Sequence, residues 1–510
     1  MTKLNLKILQ AEDCKDLYHS SPKTLLLHAT LCCQPFDFES IPNFDDLLAD
    51  KECHTTPFTL VAEGYQLLTL AFIASLNKNC SIPYSLWLQE KVEDFRQIKV
   101  WEEFQLVTAL KAVLGALTGL PVTLPQPSQL KSGAAFLEWR GLWRWGKATH
   151  GRYHADLGFL WAILGYLKQE SSLIEASHHL AKWHLNTLNA DFFPIQSLFV
   201  LEENASLKQH LISNYLLFQA MALLKGDPHF GFIAARQLDY LKEVQPEKLP
   251  DDLLLFDMYL SQIGQGVSSQ EVSLGDPWIF DQEVGLIGYR STERTILCAG
   301  NGGQTGLGYV KQSQVEIVNY GPQFFPLGDC QRFGIEGSRF QSNLPAWKMN
   351  LTEKGFEIKS TLGLTPQQMD LQSLPNFRNG LSSQIWVDVE QAFVIKENIL
   401  SISASFMSLN EVQELAFVFF VSADCCQVEE GSIFYPKTFA HYRGNSASIL
   451  LKKGDSHLLI KATAEQGHVE VIPLAGGDNF WGADFLIAYR VDSSQQTFCW
   501  DIHPTPKEAK

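Results

Sequence analysis

Residues 264–277, GQGVSSQEVSLGDP, divide the 510-residue chain into two textures and decide its fold class. Three glycines, three serines and a terminal proline interrupt any apolar period, so the stretch reads as a linker. Upstream of it, apolar residues recur at helical spacing. They do so in VAEGYQLLTLAFIASL (61–76), SLWLQEKVEDFRQI (85–98), VWEEFQLVTALKAVLGAL (100–117) and DLGFLWAILGYLKQ (156–169). The same spacing continues in 172–188, 207–226, 231–244 and 251–264, with connectors carrying Gly or Pro. Downstream the period falls to two. VGLIGYR (284–290), VEIVNYG (315–321), FVIKENILSISASF (393–406), LAFVFFVS (415–422) and DFLIAYRV (484–491) are short, β-branched or aromatic, and separated by turn residues.

About eight short helices with brief connectors predict helical hairpins in an incomplete ring. A long run of strands without intervening helices predicts sheets packed face to face. The chain is therefore expected to be an α+β multidomain protein. An N-terminal α/α helical-hairpin domain (an incomplete toroid) spans 57–268, and a large antiparallel β-sandwich spans 269–510. Residues 1–56, broken by Pro22, Pro35 and Pro42, read as a turn-rich segment.

Hydrophobic content of 45% and charged content of 19% belong to a chain with ample core. A formal charge of −16 argues against nucleic-acid binding, which needs a broad cationic surface. The N-terminal apolar run is short and soon meets acids, unlike a secretory signal. Apolar runs such as 415–422 fall short of a membrane span. The ten cysteines form no C-x-x-C pair, and the adjacent Cys32–Cys33 and Cys425–Cys426 suit neither a disulfide framework nor a zinc ribbon. Reduced thiols and a cytoplasmic address are expected.

The chemistry concentrates in 139–156, WRGLWRWGKATHGRYHAD. Three tryptophans (Trp139, Trp143, Trp145) and four cations (Arg140, Arg144, Lys147, Arg152) stand there, with no acid between Glu138 and Asp156. Aromatic faces beside fixed positive charge suit a sugar ring carrying a carboxylate or sulfate. The plainer alternative is an inter-helix loop with core tryptophans and solvated arginines. Within the stretch, Tyr153 and His154 form a phenol–imidazole pair able to share acid and base roles when a proton leaves the carbon next to a carboxylate. Arg152 or Arg144 would hold that carboxylate. The competing reading makes Tyr153 and His154 helix-start residues that pack on Trp161.

His150 and His154 have the i, i+4 spacing of a metal pair, but Gly151 lies between them and the metalloprotease glutamate is missing. No metal and no cofactor are expected. The glycine-rich AGNGGQTGLG (299–308) invites a phosphate-loop reading, yet it lies between two strand patterns and opens no helix. A loop between strands is expected there.

Helical hairpins followed by an antiparallel sandwich resemble the two-domain polysaccharide lyases, particularly the heparinase II/III-like group. The resemblance is carried by 281–329, where Gly288, Tyr289, Arg290, Gly303, Val315, Ile317, Gly321, Pro322 and Gly328 stand in comparable order, and by 471–491. That group places histidines and an aspartate in its glycine-introduced loop. This sequence has Gly303-Gln304-Thr305-Gly306-Leu307-Gly308 there, so no catalytic residue carries over.

The resemblance implies a carbohydrate-associated protein that cleaves a uronate-containing glycan by β-elimination. Tyr153, His154 and Arg152 are the expected catalytic residues. Trp143, Arg144, Trp145, Lys147 and His150 are expected to bind the substrate. The alternative is a catalytically inactive lyase-like fold that binds a glycan or a protein partner. Whether the chain is an enzyme stays open at this stage.

Overall fold

The computed structural model describes residues 22–31, 38, 41, 43–48, 57–77, 80–99, 105–135, 151–195, 207–244, 249–264, 266, 269–272, 276–300, 308–312, 314–324, 341–343, 348–364, 385–407, 415–446, 448–462, 468–474, 482–491 and 497–504. Their contacts separate two compact units. One contains described residues up to 135, with 152–185 and 208–272; the other contains 151, 186–195, 207 and 276–504.

The first unit is helical. Among the described residues its helices are α1 (Pro22–Leu31), α2 (Pro57–Leu76), α3 (Ile82–Gln97), α4 (Gln105–Leu117), α5 (Gly151–Lys168), α6 (Ser171–His184), α7 (Leu207–Lys225), α8 (Pro228–Val244) and α9 (Asp251–Ile263). Local chemistry sets several ends. The Ser81 side chain accepts from the Tyr84 amide to cap α3, and Pro83 sits in its first turn, where no donor is wasted. Asp251 and Asp252 open α9, where the helix dipole favours negative charge. Gly226 follows α7 in the left-handed region at φ 69°, the conformation that stops a helix cheaply.

Helix α1 lies inside the stretch expected to be turn-rich. Its Pro22 stands at the first helical position, where proline starts a helix and does not break one. Leu26, Leu27, Thr30 and Leu31 are buried, and α1 packs against α2 and α9.

From Leu157 to Gly165 helix α5 is apolar on every side, and residues 153–165 are buried without exception. That stretch lies in the core of this unit, as a segment with no polar face must. Within α2, Thr59–Leu76 is long and apolar enough to cross a membrane. Its Leu67, Leu68, Leu70 and Phe72 are core residues, and Phe72 stacks on Tyr259 at 4.2 Å.

The second unit is built on two antiparallel sheets. The nine-stranded sheet runs β1 (Trp278–Asp281), β2 (Leu286–Arg290), β3 (Arg294–Ala299), β4 (Gly308–Gln312), β5 (Val315–Phe324), β11 (Leu415–Ser422), β18 (Phe485–Val491), β17 (Val469–Pro473), β14 (Tyr442–Gly444). The ten-stranded sheet begins β13 (Ile433–Phe434), β12 (Cys425–Val428), β15 (Ser448–Lys453), β16 (Ser456–Ala462), β19 (Thr497–Pro504). It continues β10 (Ile399–Met407), β9 (Ile385–Lys396), β8 (Gly355–Leu364), β6 (Gln341–Asn343), with β7 (Lys348–Thr352) also pairing β8.

One core serves both sheets. Ile296, Tyr320, Phe417 and Tyr489 of the first meet Phe356, Val389, Phe393 and Trp500 of the second. Phe417 stacks on Trp500 at 4.3 Å, and Tyr320 lies 5.7 Å from Phe393. Alternating residues of each strand supply this face, as the period of two requires.

One local reading changes. FVIKENILSISASF, expected as one strand, is the hairpin β9–β10, with Lys396 opposite Ile399. Glu397 takes the left-handed conformation at φ 43°, which lets two residues turn the chain. The glycine-rich stretch 299–308 falls between β3 and β4, as expected, and Cys298 and Gly308 at its two ends are paired. Described residues 186–195 lie beyond α6 yet belong to the sheet unit. Arg290 Nη1 donates to the Leu188 carbonyl at 3.0 Å, and Asn189 Nδ2 donates to the Tyr309 hydroxyl at 3.2 Å. Burial pushes the Arg290 guanidinium down to about 10.

Candidate functional site at the start of helix α5

Of the residues expected to carry chemistry, Arg152, Tyr153, His154 and Asp156 occupy the first turns of α5. Trp139, Arg140, Trp143, Arg144, Trp145, Lys147 and His150 lie outside the described residues, as do Gly303 and Gly328.

Helical geometry sends successive side chains about 100° apart, so Tyr153 and His154 enter different surroundings. His154 has no exposed surface. Its Nε2 lies 3.0 Å from the Ala135 amide, which can only donate, so Nε2 carries no proton. The proton is therefore on Nδ1, which donates to His184 Nδ1 at 3.2 Å. His184 must then bear its proton on Nε2, 2.5 Å from the Asn214 Oδ1 that accepts it. Asn214 Nδ2 closes the series by donating to the His210 carbonyl at 2.8 Å. One chain of hydrogen bonds thus crosses α5, α6 and α7 and fixes both tautomers.

Burial pushes His154 well below the ordinary imidazole range, helped by His184 beside it. His184 falls to about 4 by burial, despite the bond to Asn214. A proton-transfer role for His154 would need a free ring nitrogen, and both are engaged within the fold.

Arg152 and Asp156 share the opposite side of α5. The Arg152 guanidinium stands over the Tyr153 ring, 5.6 Å from its centroid, and Nη1 donates to Gln209 Oε1 at 2.8 Å. Arg152 Nε is 3.8 Å from Asp156 Oδ2, too far for a hydrogen bond. Both atoms are buried without a hydrogen-bond partner, and the Tyr65 hydroxyl from α2 lies beside the Asp156 carboxyl. Such atoms are rare in folded proteins because each carries an uncompensated desolvation cost. Burial raises the Asp156 carboxyl, against Arg152 and the hydroxyls of Ser213 and Tyr65. Burial and then Asp156 push the Tyr65 phenol well above its ordinary value. Burial takes His210 down to about 3, with Arg152 adding to the effect.

The result is a buried phenol–guanidinium–carboxylate cluster at the start of α5, with Tyr153 among its members. Tyr65, Gln209, His210 and Ser213 were not singled out in the sequence. A lone tyrosine within the apolar α2 and a histidine in the first turn of α7 are the only signals that could have found them. Neither helix announces that its polar residue meets Arg152.

No family model matches the sequence, and no curated protein does. Among solved structures, the chain matches a xanthan lyase from Paenibacillus with a TM-score of 0.52 and 9% identity, over 96% of this chain. The chain spans 57% of that protein's length. It also matches the chondroitin AC lyase of Streptomyces coelicolor A3, solved with chondroitin sulphate. There the TM-score is 0.45 and the identity 11%, over 96% of this chain and 74% of that one. The likeness to xanthan lyase gives this chain a polysaccharide-lyase-like α+β architecture.

Proposed function

We propose that this chain cleaves a uronate-containing glycan by β-elimination, with the cluster at the start of α5 as its catalytic centre. The observation that carries the reading is the juxtaposition of Tyr153 and Arg152 beside Tyr65 and Asp156, where buried hydrogen-bonding capacity is left unspent. In this mechanism Arg152 pairs with the uronate carboxylate and stabilises the charge that develops when the neighbouring C5 proton departs. Tyr153 oxygen takes that proton, the C5 electron pair forms the C4–C5 double bond, and the C4–oxygen bond breaks. The phenol then returns the proton to the leaving oxygen, so no further reactant is consumed. His154 holds α5 in register and exchanges no proton with substrate. From their chemistry, Trp143 and Trp145 form the sugar platform, and Arg144, Lys147 and His150 bind its polar groups.

The same proposal takes the helices as an incomplete toroid of hairpins over 57–268 and the sheets as a sandwich over 269–510. It also reads the chain as heparinase II/III-like and its address as the cytoplasm.

The test is absorbance from the new conjugated double bond on a panel of uronate polysaccharides, with Tyr153→Phe as the comparison. A signal lost in Tyr153→Phe supports the assignment. The second reading, a non-catalytic glycan- or protein-binding descendant, is favoured by the full engagement of the His154 nitrogens. It takes over if the trace stays flat across the panel.

A further inference from the structure

The chain that joins β13 to β14 passes from the ten-stranded to the nine-stranded sheet, and it carries an unusual surface. Between Glu430 and Asp455 the sequence carries Lys437, Arg443, Lys452 and Lys453 and no acid, in a chain whose net charge is −16, and Glu430 itself accepts from the Tyr442 hydroxyl at 3.1 Å. Phe439 is completely exposed and Tyr435 is 57% exposed, four residues apart. Water does not favour a bare phenyl ring, and large side chains presented in this way mark contact surfaces. The backbone there is held, not loose. Thr438 Oγ1 donates to the Tyr435 carbonyl at 2.8 Å, and the Lys437 amide donates to the Leu474 carbonyl at 2.9 Å. Lys437 itself sits at φ 60°, a left-handed conformation that a lysine adopts only under constraint.

Beside this loop, one buried carboxylate gathers two arginines and a histidine. Glu470 is 1% exposed; Arg490 reaches its Oε1 through Nε at 2.7 Å and Nη2 at 2.6 Å. His441 Nε2 lies 3.2 Å from Oε2, and Arg443 Nε lies 3.6 Å from Oε1. Arg490 is largely buried and spends its charge on Glu470. Arg443 is held too loosely for a hydrogen bond, and its side chain is 57% exposed, so its fork remains able to pair with a second anion.

We infer that Tyr435, Lys437, Phe439, His441 and Arg443 form an accessory binding ledge for an acidic glycan, its rings stacking on the aromatic faces and its carboxylates or sulfates meeting Arg443 and Lys437. The ledge takes its ligand class from the function proposed above, but every one of its residues belongs to the sheet unit and none takes part in elimination.

Affinity electrophoresis tests it, with polygalacturonate, chondroitin sulfate or xanthan cast in the gel and dextran as the neutral control. The full chain should be retarded by at least one acidic polymer and not by dextran. Phe439→Ala and Arg443→Gln should each weaken that retardation about fivefold, roughly 1 kcal/mol. Added salt should erase the difference made by Arg443→Gln and spare the one made by Phe439→Ala. Both side chains project into solvent, so neither variant threatens the fold. Tyr153→Phe should bind like the unaltered chain even while elimination is lost, which separates failure of the ledge from failure of the catalytic reading. Equal retardation of the unaltered chain and both ledge variants, or no retardation by any acidic polymer, overturns the ledge. Self-association abolished by Phe439→Ala, without polysaccharide binding, overturns it in favour of a second copy.

Discussion

His154 and His184 meet nitrogen to nitrogen, Nδ1 to Nδ1 at 3.2 Å, with their rings inclined by only 15°. The contact needs an unprotonated His184 Nδ1 to accept the His154 proton, because protonating it would set two N–H bonds face to face.

Stability should therefore fall as the solution is acidified. His184 is lowered to about 4 and His210 to about 3, against about 6.5 for an unfolded histidine. Lowered folded values mean that the unfolded chain binds more protons in the window between. The stability is fully present above about pH 6.5 and is lost as pH falls toward the folded values, by up to about 1.4 kcal/mol per pH unit per histidine. Urea midpoints measured from pH 7.5 to 5 should drop, and His184→Gln should flatten the slope. A midpoint that stays constant over this range would falsify the assignment.

Asn214 is the acceptor that completes the chain, so Asn214→Leu should cost about 2–4 kcal/mol. It strands the His184 Nε2–H and removes the donor to the His210 carbonyl. Denaturant unfolding at neutral pH gives the value. A loss below 0.5 kcal/mol would mean that the chain is not closed in solution.

Trp500 is fully buried and stacks on Phe417 across the two sheets. Trp500→Ala should destabilise the sheet unit by about 3–5 kcal/mol, since the cavity cannot collapse between two sheets. Near-ultraviolet circular dichroism during thermal unfolding would register both the lost ring and the earlier transition.

Gly288 belongs to the strand on which the lyase resemblance was recognised, and its glycine is a packing requirement. A Cβ there would stand 2.1 Å from the Ile296 carbonyl oxygen and 2.5 Å from Leu297. Gly288→Ala should lower stability by about 2–4 kcal/mol through displacement of the β2–β3 pair. An unchanged melting temperature is the contrary result.

On a uronate polymer that is cleaved, Arg152→Lys should lower kcat/KM about a hundredfold while far-ultraviolet dichroism stays the same. A lysine keeps the charge but loses the fork that orients a carboxylate. Equal rates for the two proteins would remove Arg152 from the mechanism.

Sequence alone determined the succession of a helical part and a strand part, because periods of 3.6 and 2 are local properties of side-chain order. For Tyr153 and His154 it left two readings, an acid–base pair or helix-start residues, and the structure puts both in the first turn of α5. Sequence could not say that Pro22 starts a helix, since proline looks alike as an initiator and as a breaker. The short Glu397–Asn398 turn was hidden within an unbroken apolar alternation. Tertiary structure decided the rest. Whether His154 is a base or a fixed strut depends on the Ala135 amide and on His184, 30 residues away. Whether residues 186–195 follow the helices or the sheets depends on Arg290 reaching the Leu188 carbonyl across 102 residues. Hydrogen bonds and burial act through space, and residues far apart in the chain set the proton on a ring that local spacing merely places.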